Sequence, residues 1–239
     1  MQQEPVRQVP VRQESVRQVP VRQEPVQLIC LPSFLVGSGP QQFARIAAAL
    51  PVARTVRALW LPGFRGGDGL PGDSERLVEV LAESIAQAAG GRAFVLVGYS
   101  SGGVLAHAAA RRLEADGVEV GGVVLLDTYR HDRPDVLLSA LDYLLRRDDG
   151  LVPIDDRQLL AMGAYLDRFG GAPDDEPLKA PTVLMTVGEP LGADAWLPVG
   201  ERREITGGHF SLVEQDAAAT ARAVHDWLTT VDAAPGGRA

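Results

Sequence analysis

Ala93-Phe94-Val95-Leu96-Val97-Gly98-Tyr99-Ser100-Ser101-Gly102-Gly103-Val104-Leu105-Ala106 is the stretch that decides the fold. An apolar strand runs into a Gly-x-Ser-x-Gly turn, and the turn runs into an alanine-rich helix. A serine at the tip of such a strand-to-helix turn has a strained backbone and a hydroxyl that stands clear of the sheet. Gly98 and Gly102 leave out the side chains that would collide as strand and helix close on each other. Only Ser100 fits this frame, because counting from Ser101 puts Tyr99 where a glycine is needed. The stretch therefore reads as a nucleophile elbow.

Working outward, strand and helix signals alternate on both sides. Upstream, Gln27–Leu31 is a short buried strand followed by the loop 32–39, and Pro40 suits the first turn of a helix through Leu50. Val56–Trp60 is a second strand, leading to a Gly/Pro-rich loop from Pro62 to Gly72. Asp73 is then a good N-cap for an amphipathic helix ending near Ala89. Downstream, the elbow helix runs from Ser101 to Asp116 and is closed by Gly117. Gly122–Leu126 is another buried strand, Pro181–Gly188 the next, and Arg202–Thr206 the last. The loop Gly207-Gly208-His209-Phe210 and a helix from Leu212 to Leu228 follow. This pattern predicts an α/β fold with a mainly parallel central sheet flanked by helices. Such sheets bind ligands at the carboxyl ends of their strands, where Ser100 falls.

Residues of about 131–180 break the alternation. Val136–Arg147 and Gln158–Phe169 read as helices with broad apolar faces, an insertion expected to sit above the elbow as a lid with an apolar channel. Leu137, Leu138, Leu141, Leu144, Leu145, Leu159, Met162, Tyr165 and Phe169 are mostly expected to be packing core. Tyr99, Tyr129, Tyr143 and Met162 are expected to face the channel.

The chain has 239 residues, 46% of them hydrophobic, enough for one α/β domain over 27–230. Its formal charge of −8 argues against nucleic acid or an anionic membrane surface as partner. The single cysteine, Cys30, lies in an apolar strand and is expected to be a buried core thiol. No apolar run is long enough to span a bilayer and no signal peptide opens the sequence, so a cytoplasmic protein is expected. Residues 1–26 carry a five-residue repeat, Val6 to Pro10 and onward, with proline or serine closing each unit. One small β-branched residue or two per unit cannot build a core, so an extended linker is expected there. Residues 231–239 read as a flexible tail.

A serine hydroxyl is a weak nucleophile. It needs a base within hydrogen-bond reach, and the base needs a carboxylate to fix its tautomer and offset its charge. Among four histidines, His209 follows the last strand in a loop given room by two glycines. His107 and His225 occupy ordinary helix positions, and His131 begins the insertion. Two acids compete: Asp127 ends the strand after the elbow helix, and Glu189 ends the strand after that. The order serine, acid, histidine is that of the α/β-hydrolase fold. Backbone amides of Ser101 and of Phe34, in the loop after the first strand, are the expected oxyanion donors.

The pieces Ile29-Cys30-Leu31, Gly39-Pro40-Gln41-Gln42-Phe43, Gly98 to Gly103, Val124 to Tyr129, Gly188-Glu189-Pro190 and Gly208 to Val213 together resemble the chain-terminating thioesterase domain of modular type I polyketide synthases. The resemblance covers 27–230. It implies a triad of Ser100, Asp127 and His209, and as substrate an acyl chain on the phosphopantetheine arm of an acyl carrier domain, with no cofactor or metal of the enzyme's own. It implies release of that chain by hydrolysis or macrolactonisation. Three departures stand out. The leucine-rich N-terminal helices that pair family members into dimers are replaced by the Val-Arg-Gln repeat, so dimerisation is not implied. Tyr99 stands where many members have histidine, and Phe34 stands where many have a small residue, a change expected to alter channel shape. A free-standing editing thioesterase, a general serine esterase and a catalytically inactive binding module of the same fold are the alternative readings.

Overall fold

Five short runs of mostly apolar residues and one largely charged run form the strands β1 (Gln27–Leu31), β2 (Val56–Ala58), β3 (Phe94–Tyr99), β4 (Val123–Leu126), β5 (Thr182–Val187) and, as the charged one, β6 (Glu201–Ile205). A computed structural model describes residues 25–67, 69–129, 138, 142, 146, 154–169, 176–188 and 199–232. The strands make one sheet in the order β2-β1-β3-β4-β5-β6, and each pairing among them is parallel. Parallel neighbours need crossover connections, and the intervening helices supply them. These are α1 (Ala44–Ala49), α2 (Ser74–Ala89), α3 (Ser101–Ala115) and α4 (Asp156–Phe169), while α5 (Ala217–Asp232) follows the last strand.

Side-chain alternation along the strands divides the core in two. Ile29, Leu31, Leu96, Val123, Leu125 and Leu184 face the side covered by α2 and α3, where Leu77, Leu81, Leu105 and Leu113 are buried. Leu28, Cys30, Val95, Val97, Tyr99, Val124, Leu126, Val183 and Met185 face the other side, with Ile46 of α1 and Val224, Trp227 and Leu228 of α5. A sheet buried on both faces requires strands apolar at nearly every position, which is what β3 and β4 are. Cys30 is buried within it, and burial pushes its thiol well above the usual range, as expected for a core cysteine.

Local chemistry sets the ends of the elements. The Asp73 carboxylate caps α2 by accepting from the Arg76 amide at 2.7 Å, and Gly90 closes the helix in the left-handed region at φ 59°. The helix expected from Pro40 opens instead as a 3₁₀ turn, Pro40–Phe43, before α1. Leu50, which precedes Pro51, is extended and ends α1, because proline crowds a helical residue before it. The final helix likewise begins as a 3₁₀ turn, Ser211–Val213, and resumes at Ala217. Strand β2 is shorter than expected, although the Leu59 amide still reaches the Cys30 carbonyl at 2.9 Å.

The expected lid helix over Val136–Arg147 lies almost wholly outside the described residues. Helix α4 corresponds to the second, and of its four expected core residues Tyr165, Met162 and Phe169 pack inward while Leu159 does not. Gln158, Ala161 and Tyr165 point inward with Met162 and Phe169 partly buried beside them, while Leu159 is 43% exposed and Leu160 75%. Leu138 is 63% exposed as well. Leu138 and Leu159 are therefore surface residues rather than core; for Leu159 the neighbouring Gln158 carboxamide takes the inward position, where it accepts from the Gly37 amide.

Candidate active site

The register of the central strands brings the site together. Tyr99 pairs with Leu126 across β3 and β4, so Ser100 and Asp127 leave neighbouring strands at the same level. The carboxyl end of β6, paired to β5 through Val187 and Ile205, delivers His209 four residues later.

Ser100 adopts φ 54° and ψ −129°, a backbone region that L-residues rarely occupy, and is 8% exposed. Three glycines permit the turn. A Cβ on Gly98 would strike the backbone of Gly103, and one on Gly102 would strike the carbonyl of Leu31. A Cβ on Gly103 would overlap the Thr128 hydroxyl, so this third glycine lets the helix pass the end of β4. In the sequence, the Gly102-Gly103 doublet is the signal for this third glycine. Beyond the turn, α3 starts at Ser101, and the first amides of a helix have no intrahelical acceptor.

Asp127 is fully buried at φ 45°, a left-handed conformation that aspartate tolerates better than most residues. Its carboxylate meets three donors. His209 Nδ1 lies 2.6 Å from Oδ2, while the Tyr129 hydroxyl donates to Oδ1 at 2.6 Å and the Val187 amide donates to the same oxygen at 3.2 Å. An ionised carboxylate only accepts, so His209 carries its proton on Nδ1 and leaves Nε2 with a lone pair. Of the two acids that the sequence left open, Asp127 is the one bonded to His209; Glu189 lies outside the described residues.

The histidine loop is held from three sides. Ser211 Oγ accepts from the Gly208 amide at 2.7 Å, and the Leu212 amide bonds the Gly208 carbonyl at 3.1 Å. A Cβ on Gly207, at φ 129°, would press on the Asp216 carboxylate. The Tyr99 hydroxyl donates to the His209 carbonyl at 2.8 Å, which ties the loop to the residue just before Ser100.

The expected oxyanion loop is fastened to the elbow by hydroxyls. The Phe34 amide donates to Ser101 Oγ at 2.9 Å, and Ser101 Oγ and Ser33 Oγ share a hydrogen bond of 2.9 Å. The Leu35 amide donates to Ser33 Oγ at 3.2 Å. Phe34 was expected to reshape a channel, yet its ring is fully buried, 5.4 Å from the ring of Tyr165 on α4. Gln158 of the same helix accepts from the Gly37 amide at 3.0 Å. Helix α4 thus packs on the loop that carries Phe34.

Among the expected channel residues, Tyr99 is 2% exposed and bonded beneath the histidine loop. Tyr129 turns its hydroxyl to Asp127, Met162 is partly buried against the core, and Tyr143 lies outside the described residues, as does His131. His107 is buried in α3 and His225 half-buried on α5, both away from the strand ends. Among the described residues no group of three His, Cys, Asp or Glu is placed to hold a metal ion, and no helix is long and apolar enough to cross a membrane.

Comparison with known proteins points the same way. Residues 26–142 match the family model described as "Thioesterase domain". The chain is 39% identical over 217 residues to "Polyketide synthase GfsE" of Streptomyces halstedii, an alignment covering 84% of this chain and 6% of that protein. It is 34% identical over 210 residues to "Erythronolide synthase EryA3" of Saccharopolyspora erythraea, covering 84% of this chain and 7% of that protein. The chain therefore spans only a small part of the length of these relatives. Among solved structures it is similar to the RedJ thioesterase of the prodiginine biosynthetic pathway in Streptomyces coelicolor, with a TM-score of 0.65, 25% identity, and 86% of this chain and 90% of that one covered. The thioesterase domain that cyclises the lipopeptide antibiotic surfactin shares the fold at 19% identity, with a TM-score of 0.65 and coverage of 86% and 92%.

Proposed function

Because the chain belongs to the thioesterase domain family, whose modular type I polyketide synthase members are its curated relatives, we propose that it releases a finished polyketide acyl chain from the phosphopantetheine arm of an acyl carrier domain through an acyl-Ser100 intermediate. The observation that carries this reading is the 2.6 Å bond from His209 to a fully buried Asp127 at the strand end beside the elbow.

His209 Nε2 takes the Ser100 hydroxyl proton as Oγ attacks the thioester carbonyl. Asp127 holds the imidazole in the tautomer that leaves Nε2 free and offsets the imidazolium charge. The oxyanion is received by the amides of Ser101 and Phe34, and to bind it the Phe34 N–H is drawn from Ser101 Oγ. Collapse breaks the C–S bond, and His209 returns the proton to the departing thiolate. Water or a hydroxyl of the chain itself then gives its proton to His209 and attacks the acyl-serine carbonyl; the bond from the acyl carbon to Ser100 Oγ breaks, and His209 returns the proton to Oγ. Water releases an acid; the chain's hydroxyl releases a lactone.

The test is turnover of a polyketide-like acyl N-acetylcysteamine thioester by the purified chain, with thiol release and products followed together. Thiol release that vanishes in Ser100→Ala, with acid or lactone formed in step with thiol, is the expected result. Thiol release that survives in Ser100→Ala would remove the acyl-serine pathway.

A further inference from the structure

Two tyrosines touch the His209–Asp127 pair, one through each partner, and neither is a member of the triad. The Tyr129 hydroxyl donates at 2.6 Å to Asp127 Oδ1, the oxygen that His209 does not use. The Tyr99 hydroxyl donates at 2.8 Å to the carbonyl of His209 itself. Both rings also pack against the imidazole, with centroids 5.4 Å away for Tyr99 and 5.8 Å for Tyr129.

We propose that Tyr99 and Tyr129 are positioning residues that clamp the histidine and its carboxylate in the geometry of proton transfer, and are not walls of the acyl channel. The inference rests on the acyl-serine reading above.

The physical argument starts from Asp127. A carboxylate on a short side chain can rotate about its last bond, and rotation would carry Oδ2 away from the imidazole. Donors on Oδ1 oppose that rotation. The Val187 amide supplies one at 3.2 Å, a long bond; the phenol supplies the short one. Burial and the bond to Asp127 push the Tyr129 phenol well above its ordinary range, which favours the protonated, donating form. Tyr99 acts on the other partner. His209 sits in a loop between β6 and the Ser211 turn, and the phenol fixes that loop's carbonyl from within the core. Since Tyr99 immediately precedes Ser100, the nucleophile and the base are referenced to one rigid strand end.

A clamp and a channel wall predict different kinetics. Loss of a clamp slows each proton transfer alike, whatever the acyl chain, whereas loss of a wall weakens binding more as the chain lengthens. The experiment compares wild type, Tyr129→Phe and Tyr99→Phe on acetyl and decanoyl N-acetylcysteamine thioesters. The far-downfield proton resonance of His209 Nδ1–H is recorded for each protein.

Tyr129→Phe is expected to lower kcat about ten- to hundredfold, the worth of a hydrogen bond to a charged group, equally on both substrates and with KM within about twofold. Its Nδ1–H resonance is expected to broaden or disappear as the carboxylate loosens. Tyr99→Phe is expected to lower kcat by about three- to tenfold with the same indifference to chain length. If the Tyr99 variant folds poorly, Tyr129→Phe with its resonance decides alone. A rise in KM that grows with acyl length, with kcat and the resonance as in wild type, would overturn the clamp. Ser100→Ala in the same assay separates the two levels: turnover that persists there overturns the acyl-serine reading and the clamp with it. Turnover that depends on Ser100 but is unaltered in both phenylalanine variants overturns the clamp alone.

Discussion

The strand-end rim and helix α4 stand at the same end of the sheet and are held by different forces. At the rim the deciding groups are polar and enclosed: Asp127 is fully buried and accepts from three donors, and the histidine loop is fixed by hydroxyls of Ser211 and Tyr99. Helix α4 is held by the Tyr165 ring against Phe34 and Phe64 and by three less enclosed hydrogen bonds, from the Gly37 amide to the Gln158 carboxamide, from the Tyr165 hydroxyl to the Pro62 carbonyl and from Arg168 to the Gly72 carbonyl, while Leu159 and Leu160 face outward. Directional bonds to buried groups lose much when a single atom changes, whereas aromatic packing yields by small shifts. On the proposed function, the rim would fix the chemistry, and α4 is where substrate length is expected to act.

That contrast can be broken most readily at Asp127. Replacing the acid of a serine-histidine-aspartate triad by asparagine costs about 10⁴ in turnover in a serine protease, because the histidine takes the wrong tautomer. Asp127→Asn should suppress the acylation burst with a chromogenic ester on that scale, while Glu189→Gln changes it by less than about tenfold. The reverse ranking would move the acid to the later strand. Gly103→Ala comes next. The added methyl meets the Thr128 side chain at the junction of α3 and β4, and overpacking of this kind costs about 1–3 kcal/mol, read from the urea midpoint. Unchanged stability would show that the elbow is looser than its glycines imply.

On the α4 side the effects should be smaller and selective. Gln158→Ala removes the acceptor of the Gly37 amide, a loss of about 1 kcal/mol in stability, and should impair decanoyl thioesters more than acetyl ones because α4 then sits less firmly on the Phe34 loop. Equal impairment of both would transfer α4 to the rim's category. Leu160→Gln, on a residue 75% exposed, should leave the urea midpoint within about 0.5 kcal/mol of wild type. A larger loss would mean that something covers the outer face of the helix.

The same contrast explains what could be read from the chain. The elbow was legible because its backbone admits glycine at fixed spacings, Asp127 was a candidate because an apolar strand announces where it ends, and His209 stood out through the two glycines before it, its own strand being largely charged. The wholly parallel sheet, the Asp73 cap and the buried Cys30 follow from equally local rules. The role of Tyr99 was not legible, since its partner is 110 residues away and no local pattern connects them. Tyr129 lies two residues from Asp127, yet only the left-handed turn at Asp127 brings hydroxyl and carboxylate together. In α4 the periodicity located Met162, Tyr165 and Phe169 on the inner face and missed only at Leu159, where the adjacent Gln158 turns inward to accept from the Gly37 amide.

The central claim, that the serine of the elbow becomes acylated with His209 as its base, is tested most directly by intact-protein and peptide mass spectrometry after brief exposure to a decanoyl thioester and to a fluorophosphonate. The account predicts one stoichiometric adduct on the peptide holding Ser100 with either reagent, and none above background in His209→Ala. An adduct on Ser101 or on another residue, or undiminished labelling of Ser100 without His209, would contradict it.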